Sequence, residues 1–158
     1  MFRGMRRFKQ QISDEECIEV LKNEKRGVLS VIGDDGYPYG VPLNHYYDEK
    51  NNCIYFHGAK EGHKVDAIKN NSKVSYCVVE RGVKRENHWS YDVRSVVVFG
   101  EASFVEDLDE CAKICSDIWW KFGTDKKELD EELQRSLSRV MCIKVEIKHM
   151  TGKKVHES

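Results

Sequence analysis

A short cationic segment between a predicted strand and a predicted helix carries the residue types best suited to chemistry. Its sequence, "HGAKEGHK" at residues 57–64, places Lys60, His63 and Lys64 among two glycines. Free N–H groups and the helix dipole at a helix N-terminus favour an anion of phosphate size, and glycines let a ligand approach the backbone. Because cations oppose the dipole at this end, helix stability does not explain them. The segment therefore predicts a local anion site, with an ordinary solvated loop as the alternative.

A metal site is the second possible use of the histidines in this region. His45, His57 and His63 follow one another closely, but His45 and His57 belong to different predicted strands. Regular alternation does not tell whether His45 faces the interior or the solvent, and no acidic partner stands at ligand spacing. We therefore predict no metal site and assign these histidines to the neighbourhood of a phosphate.

The six cysteines fit reduced thiols in a core better than disulfides. They stand in apolar, periodic segments without a C-x-x-C pair, at positions 17, 53, 77, 111, 115 and 142. Free cysteine is among the most frequently buried residue types. Cys111 and Cys115 lie four residues apart on a predicted helix, so a metal pair or a redox pair there stays as the alternative.

Length and charge restrict the function classes. The chain has 158 residues, which suits a single domain over residues 1–158, and 26 Lys and Arg against 27 Asp and Glu give a net charge of −1. Such a chain has no global attraction for nucleic acid or for an anionic membrane. No stretch approaches the roughly 18 apolar residues of a membrane span, and the basic N-terminus lacks the apolar part of a signal peptide. We expect a cytoplasmic protein.

The elements that position the cationic segment are mostly strands joined by hairpins. A capping box of Ser13 and Glu16 predicts that a helix begins at Ser13. Turn residues divide the next part of the chain into predicted strands at 28–32, 39–47 and 53–57, and a short helix follows at 63–69. Further on, the patterns predict a strand at 73–79, a long strand from residue 94 that bends at Gly100, two helices, and a last strand at 140–150.

Six short strands with intervening helices favour a small antiparallel barrel with helices packed outside it. An open antiparallel sheet with helices on one face is the alternative.

Two segments carry a resemblance to a known family. Residues 33–79, "GDDGYPYGVPLNHYYDEKNNCIYFHGAKEGHKVDAIKNNSKVSYCVV", and residues 94–107, "RSVVVFGEASFVED", resemble the pyridoxamine 5'-phosphate oxidase-like FMN-binding split-barrel superfamily, and within it the nitroimidazole-resistance-like branch. The resemblance extends to the opening "MFRGMRRFKQQISDEEC" and the closing "MTGKKV". It implies a mainly β protein with α-helices: a split β-barrel, which is a six-stranded antiparallel Greek-key barrel with flanking helices. It also implies a homodimer with FMN at the subunit interface.

The same resemblance assigns the cationic segment to the FMN phosphate. Lys64 matches the family's phosphate-binding lysine and His63 the basic residue before it, while Gly62 stands where many relatives have serine. His57 takes the place of a threonine at the strand end, beside the phosphate or the ribityl chain. Lys60 would add a further cation.

The isoalloxazine ring would lie along another strand. The matching stretch, whose backbone runs along the ring in the family, consists of Val41, Pro42, Leu43 and Asn44. Pro42 is compatible with a position that needs no ladder donor. Ser95 matches a polar residue that the family offers to the flavin, and Lys153 in the tail could reach the ring from either subunit.

The departures from the family bear on the reaction. The ending "MTGKKVHES" lacks the "R-x-x-x-x-P" of true pyridoxamine phosphate oxidases, so we do not expect that substrate. The expectation is an FMN-dependent oxidoreductase similar to nitroimidazole or nitroaromatic reductases, with NAD(P)H as electron donor. The alternatives are a non-catalytic flavin carrier, a haem-binding split-barrel protein with His45, His57 or His149 as axial ligand, and a plain interaction module.

Overall fold

The computed structural model describes residues 1–84 and 86–157. Its helices are α1 (Asp14–Asn23), α2 (His63–Asn70), α3 (Leu108–Trp119) and α4 (Lys126–Ser136), with short 3-10 turns at Phe8–Gln10, Asp34–Gly36 and Leu137–Arg139. Its strands are β1 (Arg26–Ile32), β2 (Pro38–Asn44), β3 (Tyr46–Asp48), β4 (Cys53–Ala59), β5 (Lys73–Val79), β6 (Val83–Lys84), β7 (Tyr91–Val105) and β8 (Val140–Glu157).

The strands form one antiparallel sheet, and the strands at its two edges, β2 and β3, are consecutive in the chain. The order is β2-β1-β5-β7-β8-β4-β3, with the two-residue β6 paired to β7. Since β2 and β3 are separated only by His45, they act as one bent strand that closes the barrel. With that bent strand counted once and β6 set aside, the predicted six-stranded split barrel is confirmed, and the alternative of an open sheet is wrong.

The predicted strand over residues 39–47 is divided in the structure into β2 and β3. The chain leaves the ladder at His45, whose N–H donates to the carbonyl of Lys25 at 3.3 Å. Its ring is buried in the barrel, and this turns the following strand towards β4. The last strand is also longer than predicted, because its C-terminal part pairs with β7 as far as Tyr91.

The barrel interior holds the main apolar core. The fully buried side chains include Leu29, Val31, Ile54, Phe56, Tyr76, Val78, Val96, Val98 and Val145. Helix α1 adds Val20 and Leu21 to this core, and it begins where the capping box predicts. The hydroxyl of Ser13 accepts from the Glu16 N–H at 3.2 Å, and the Glu16 carboxylate accepts from the Ser13 N–H at 3.1 Å.

A second core lies outside the barrel, where α3 packs on β4 and β8. Cys111, Ile114 and Ile118 of the helix meet Tyr55 and Cys142 of the strands. At this end the two strands are therefore buried on both faces. Gly100 marks the predicted bend: the register of β7 against β8 shifts between Phe99 and Gly100, and a Cβ at Gly100 would stand 2.5 Å from the Glu146 carbonyl oxygen.

Within residues 1–84 and 86–157, none of the helices has the length and apolar character needed to cross a membrane.

Candidate functional site

The ladder register places several predicted site residues on the outward face of the barrel. Residues directly opposite in a ladder share a face, and so do residues two apart along a strand. Pro42 pairs with Val28, and Asn44 lies two positions further along β2. On strands further along the sheet, Ser95 of β7 pairs with Lys153 of β8.

These two groups belong to adjoining rows of one face. Val28 is also opposite Cys77 of β5, and Cys77 is opposite Val97 of β7. Val97 lies two residues from Ser95, so the row that contains Pro42 runs beside the row that contains Ser95. We call this side, which spans β2, β1, β5, β7 and β8, the outward face.

The outward face is apolar and exposed in the single chain. Val28, Ile32, Val79 and Phe99 keep 40%, 45%, 55% and 42% of their surface accessible. Four exposed aliphatic or aromatic side chains on one sheet face indicate a surface that another molecule covers.

Val41 and Leu43 alternate with Pro42 and Asn44, so they turn to the barrel side. Val41 is opposite the fully buried Leu29, and Leu43 packs against the main core. Only the backbone of these two residues is available to a ligand on the outward face, as the family resemblance implies.

The start of α2 is open and built on a glycine. Gly62 precedes the helix with φ of +122° and ψ of 170°, a backbone conformation that only glycine adopts easily. A side chain at this position would be strained, which accounts for the glycine. The carbonyl of Gly62 accepts from Val65 at 2.8 Å and from Asp66 at 3.1 Å. The backbone N–H groups of His63 and Lys64 donate to no backbone acceptor among the described residues.

Lys64 lies at this open end of the helix. Its ammonium nitrogen would stand 3.2 Å from a Cβ at Gly58, so it lies over the backbone of the strand end. It makes no ion pair or hydrogen bond with the residues that the structure describes. Lys60 is already engaged, because its ammonium donates to the carbonyl of Ser138 at 2.6 Å.

His63 is turned away from the other two cations. Its ring stacks on Tyr39 with centroids 4.2 Å apart, and its Nε2 accepts from the Asp34 N–H at 3.2 Å. The Asp34 carboxylate lies 3.7 Å from the same nitrogen. The structure therefore does not gather the three predicted cations, and contact of His63 with a phosphate stays a prediction. The pattern of charges did not reveal this arrangement, because Tyr39 lies far away in sequence.

His57 points outward from β4 into a cavity of about 410 Å³ between the barrel and helices α3 and α4. Asn44 and Trp119 line the same cavity, with mostly apolar side chains around them. Although His57 is exposed, the nearby walls withdraw water from its ring and lower its pKa, and the charge of Lys64 lowers that pKa further. Among the described residues it has no hydrogen-bond partner. Sequence reasoning missed this cavity because its helical wall comes from the distant α3 and α4.

A second outward cavity, of about 540 Å³, lies by β7 and β8. Ser95 and Lys153 line it together with Arg6 and Arg7 of the N-terminal segment. The predicted ring contacts are thus divided between two concave regions, with Asn44 in the first and Ser95 in the second.

His45 is inside the barrel and chemically satisfied. Its Nε2–H donates to the Leu21 carbonyl at 2.7 Å, and its Nδ1 accepts from the Tyr76 hydroxyl at 2.9 Å. Burial, and after it the charge of Lys121, lowers its pKa to about 4. Because both ring nitrogens are engaged, His45 is not available as a haem or metal ligand. The described part of the chain also holds no group of three His, Cys, Asp or Glu side chains that could bind a metal ion.

Fold and sequence together identify the family. The profile of the pyridoxamine 5'-phosphate oxidase family matches residues 13–154, so the chain belongs to that family. A search of curated proteins gave no match.

Solved structures with the same fold are divergent in sequence. A proposed 5-nitroimidazole antibiotic resistance protein from Bacteroides thetaiotaomicron is 23% identical with a TM-score of 0.78, over 93% of this chain and 87% of that one. An FAD-binding protein from Mesorhizobium loti is 24% identical with a TM-score of 0.69, over 92% and 97%. A flavocytochrome from Azotobacter vinelandii is 14% identical with a TM-score of 0.69, over 96% and 72%.

Proposed function

We propose that this protein is a flavoprotein that binds FMN on the outward face, between two copies of the chain. Two observations carry the proposal. Lys64, at the open start of α2 and near His57, has no partner among the described residues, and the outward face is apolar and exposed. A flat apolar ring with a dianionic phosphate at one end matches these two properties. Family membership supports a flavin, and so does the FAD-binding relative from Mesorhizobium loti.

The phosphate would be held at α2. Lys64 supplies the charge, the free helix N–H groups supply hydrogen bonds, and Gly62 keeps the approach open. His57 lies next to Lys64, where it would meet the phosphate or the ribityl chain. Lys60 and His63 would contribute only after leaving the Ser138 carbonyl and the Tyr39 ring.

The ring would lie along the β2 backbone, with Pro42 and Asn44 beneath it and Ser95 offered to its polar atoms. The exposed apolar side chains of the outward face would be covered by the ring and by a second copy. A homodimer is therefore part of the proposal. FMN is preferred over FAD because α2 offers one compact anion site, which suits a terminal phosphate.

The proposed reaction is electron transfer to a nitroaromatic compound with NAD(P)H as donor. The flavin, when bound, supplies the electron chemistry, and the chain's own residues bind, orient and exclude water. The cavity beside His57 has apolar walls such as Ile118 and Leu129, and it would take a flat apolar molecule next to Asn44. The likeness to the Bacteroides protein agrees with this class of substrate.

A flavin carrier without turnover is the second candidate. The resemblance assigns two polar groups of the cavity to the flavin, His57 and Asn44, and of these only His57 can titrate. Among the described residues, His57 has no hydrogen-bonded partner that would orient it as a general acid or base.

The spectrum of the purified protein tests the proposal. We expect the two visible bands of oxidised flavin, release of FMN on denaturation, one flavin per chain, and a dimer in solution. Anaerobic bleaching by NADH or NADPH supports the reductase, whereas a flavin that stays oxidised supports the carrier. A Soret band, or a colourless protein that takes up neither FMN nor FAD, overturns the proposal.

A further inference from the structure

Two cysteines from distant parts of the chain face each other beside the cavity. The Sγ atoms of Cys115 in α3 and Cys142 in β8 are 4.0 Å apart. Cys111, which sequence spacing offered as the partner of Cys115, instead directs its thiol to the Val105 carbonyl at 3.3 Å. In the fold, Cys115 therefore contacts Cys142 of the barrel and not Cys111 of its own helix.

The two thiols differ in access. Cys115 is partly exposed and lines the cavity of about 410 Å³. Cys142 is completely buried, lies opposite His57 in the ladder, and has its Sγ 3.8 Å from the Cys111 carbonyl. A small oxidant in the cavity can therefore reach the first thiol, while the second is sheltered and adjacent. This is the usual arrangement of a reactive cysteine and a resolving cysteine.

We propose that Cys115 and Cys142 form a redox-sensitive modification site that hydrogen peroxide converts to a disulfide. The Cys115 sulfur attacks one peroxide oxygen, the O–O bond breaks, and the released hydroxide takes up the thiol proton as water, which leaves a sulfenic acid. The Cys142 sulfur then attacks the Cys115 sulfur, the S–O bond breaks, and a second water leaves. Two thiols and one peroxide give one disulfide and two waters.

The hydrogen bond within the pair favours this direction of attack. The hydrogen bond with the Cys142 thiol lowers the pKa of Cys115, against the opposing effect of burial. The pKa of Cys142 is raised by the same contact and by burial. Because the thiolate is the nucleophile, Cys115 is the sulfur that meets the oxidant.

Formation of the disulfide between Cys115 and Cys142 must move the wall of the cavity. A disulfide needs its sulfurs about 2.05 Å apart, so the pair has to approach by roughly 2 Å. Since β8 is held on both sides by β7 and β4, we expect the helix to move towards the barrel. Oxidation would therefore narrow the cavity beside His57, whatever the cavity binds.

The test is oxidation of the full-length reduced protein with one equivalent of hydrogen peroxide. We expect free thiols to fall from the six of the sequence to four, with a mass loss of about 2 Da and complete recovery by dithiothreitol. Peptide mapping without reduction should find Cys115 linked to Cys142.

Variants separate this pair from the other thiols. C115S should abolish the thiol loss, and C142A should leave a sulfenic acid at Cys115 that dimedone traps. Cys77→Ser is the matched control, because Cys77 is also partly exposed but lies on the outward face, and this variant should oxidise like the wild type. A bridge between Cys111 and Cys115, a bridge between two chains, or first oxidation at Cys77 would overturn the proposal. If C142A does not fold, the bridge mapped in the wild type decides alone.

Discussion

His45 lies directly before β3 and His57 lies on β4, which pairs with β3, yet the two histidines have opposite environments. His45 faces into the barrel, and both of its nitrogens are used by Leu21 and Tyr76. His57 faces out into a cavity beside Lys64, and among the described residues no group hydrogen-bonds to it. The pKa is lowered in both, but only the inner ring is locked by its partners.

The difference teaches which polar groups belong to the fold and which are available for a ligand. A buried ring with two hydrogen bonds stabilises the bend that closes the barrel, and no capacity is left for binding. An exposed histidine ring and an ammonium group that pair with none of the described residues add little to stability. A site for an external anion requires such exposed groups, whose hydrogen-bonding capacity is not used by the fold.

The largest effect is expected from removing the inner histidine. His45→Ala should lower the free energy of unfolding by about 3–5 kcal/mol, because it leaves a cavity and removes the donor to the buried Leu21 carbonyl. His57→Ala, the matched control, should change it by about 0.5 kcal/mol or less. Urea unfolding followed by fluorescence measures both. Equal losses in the two variants would contradict the comparison.

The pH dependence of stability should carry the signature of His45. Its pKa is about 4 in the folded protein against 6.5 for a free histidine, so the unfolded chain binds more protons between these values. Stability due to the neutral ring is complete above about pH 6.5 and is lost as the pH falls towards 4, by about 3 kcal/mol.

Unfolding measured from pH 4 to pH 7 in the wild type and in His45→Asn checks this. The His45→Asn variant should lose most of the pH dependence of the free energy of unfolding. The pH dependence of His57→Ala should differ far less from that of the wild type. A slope unchanged by His45→Asn would show that the inner histidine is not responsible.

A smaller effect is expected where α2 begins. Gly62→Ala should cost about 1–3 kcal/mol, because its φ of +122° is strained for any residue with a Cβ. Gly4→Ala is the control, since it has no positive φ and open space around it. Thermal unfolding would show a lower midpoint for the first variant alone. If both variants unfold like the wild type, the proposed role of Gly62 fails.

Local signals in the sequence were sufficient for most of the fold. The capping box at Ser13, the bend at Gly100 and the hairpin between β1 and β2 depend on residues close in sequence or on backbone preferences. The break at His45 did not follow from alternation, because its cause is a buried network with Leu21 and Tyr76 from other elements.

The candidate site was predictable only in part for the same reason. The glycine and lysine at the start of α2 form a local motif, so their position could be expected. The stacking of His63 on Tyr39 and the cavity wall around Trp119 depend on contacts between distant segments. Spacing also suggested Cys111 as the neighbour of Cys115, whereas packing of α3 on β8 selects Cys142.

The most direct test of the central claim is the dissociation constant of FMN compared with that of riboflavin, which lacks the phosphate. Lys64→Gln should weaken FMN binding roughly 10- to 100-fold, as expected for loss of a charge-assisted hydrogen bond, and should leave riboflavin binding within about 2-fold. Lys60→Gln should weaken FMN binding less, because the Lys60 ammonium already donates to the Ser138 carbonyl. If Lys64→Gln weakens both flavins equally, or neither, the start of α2 does not hold a flavin phosphate.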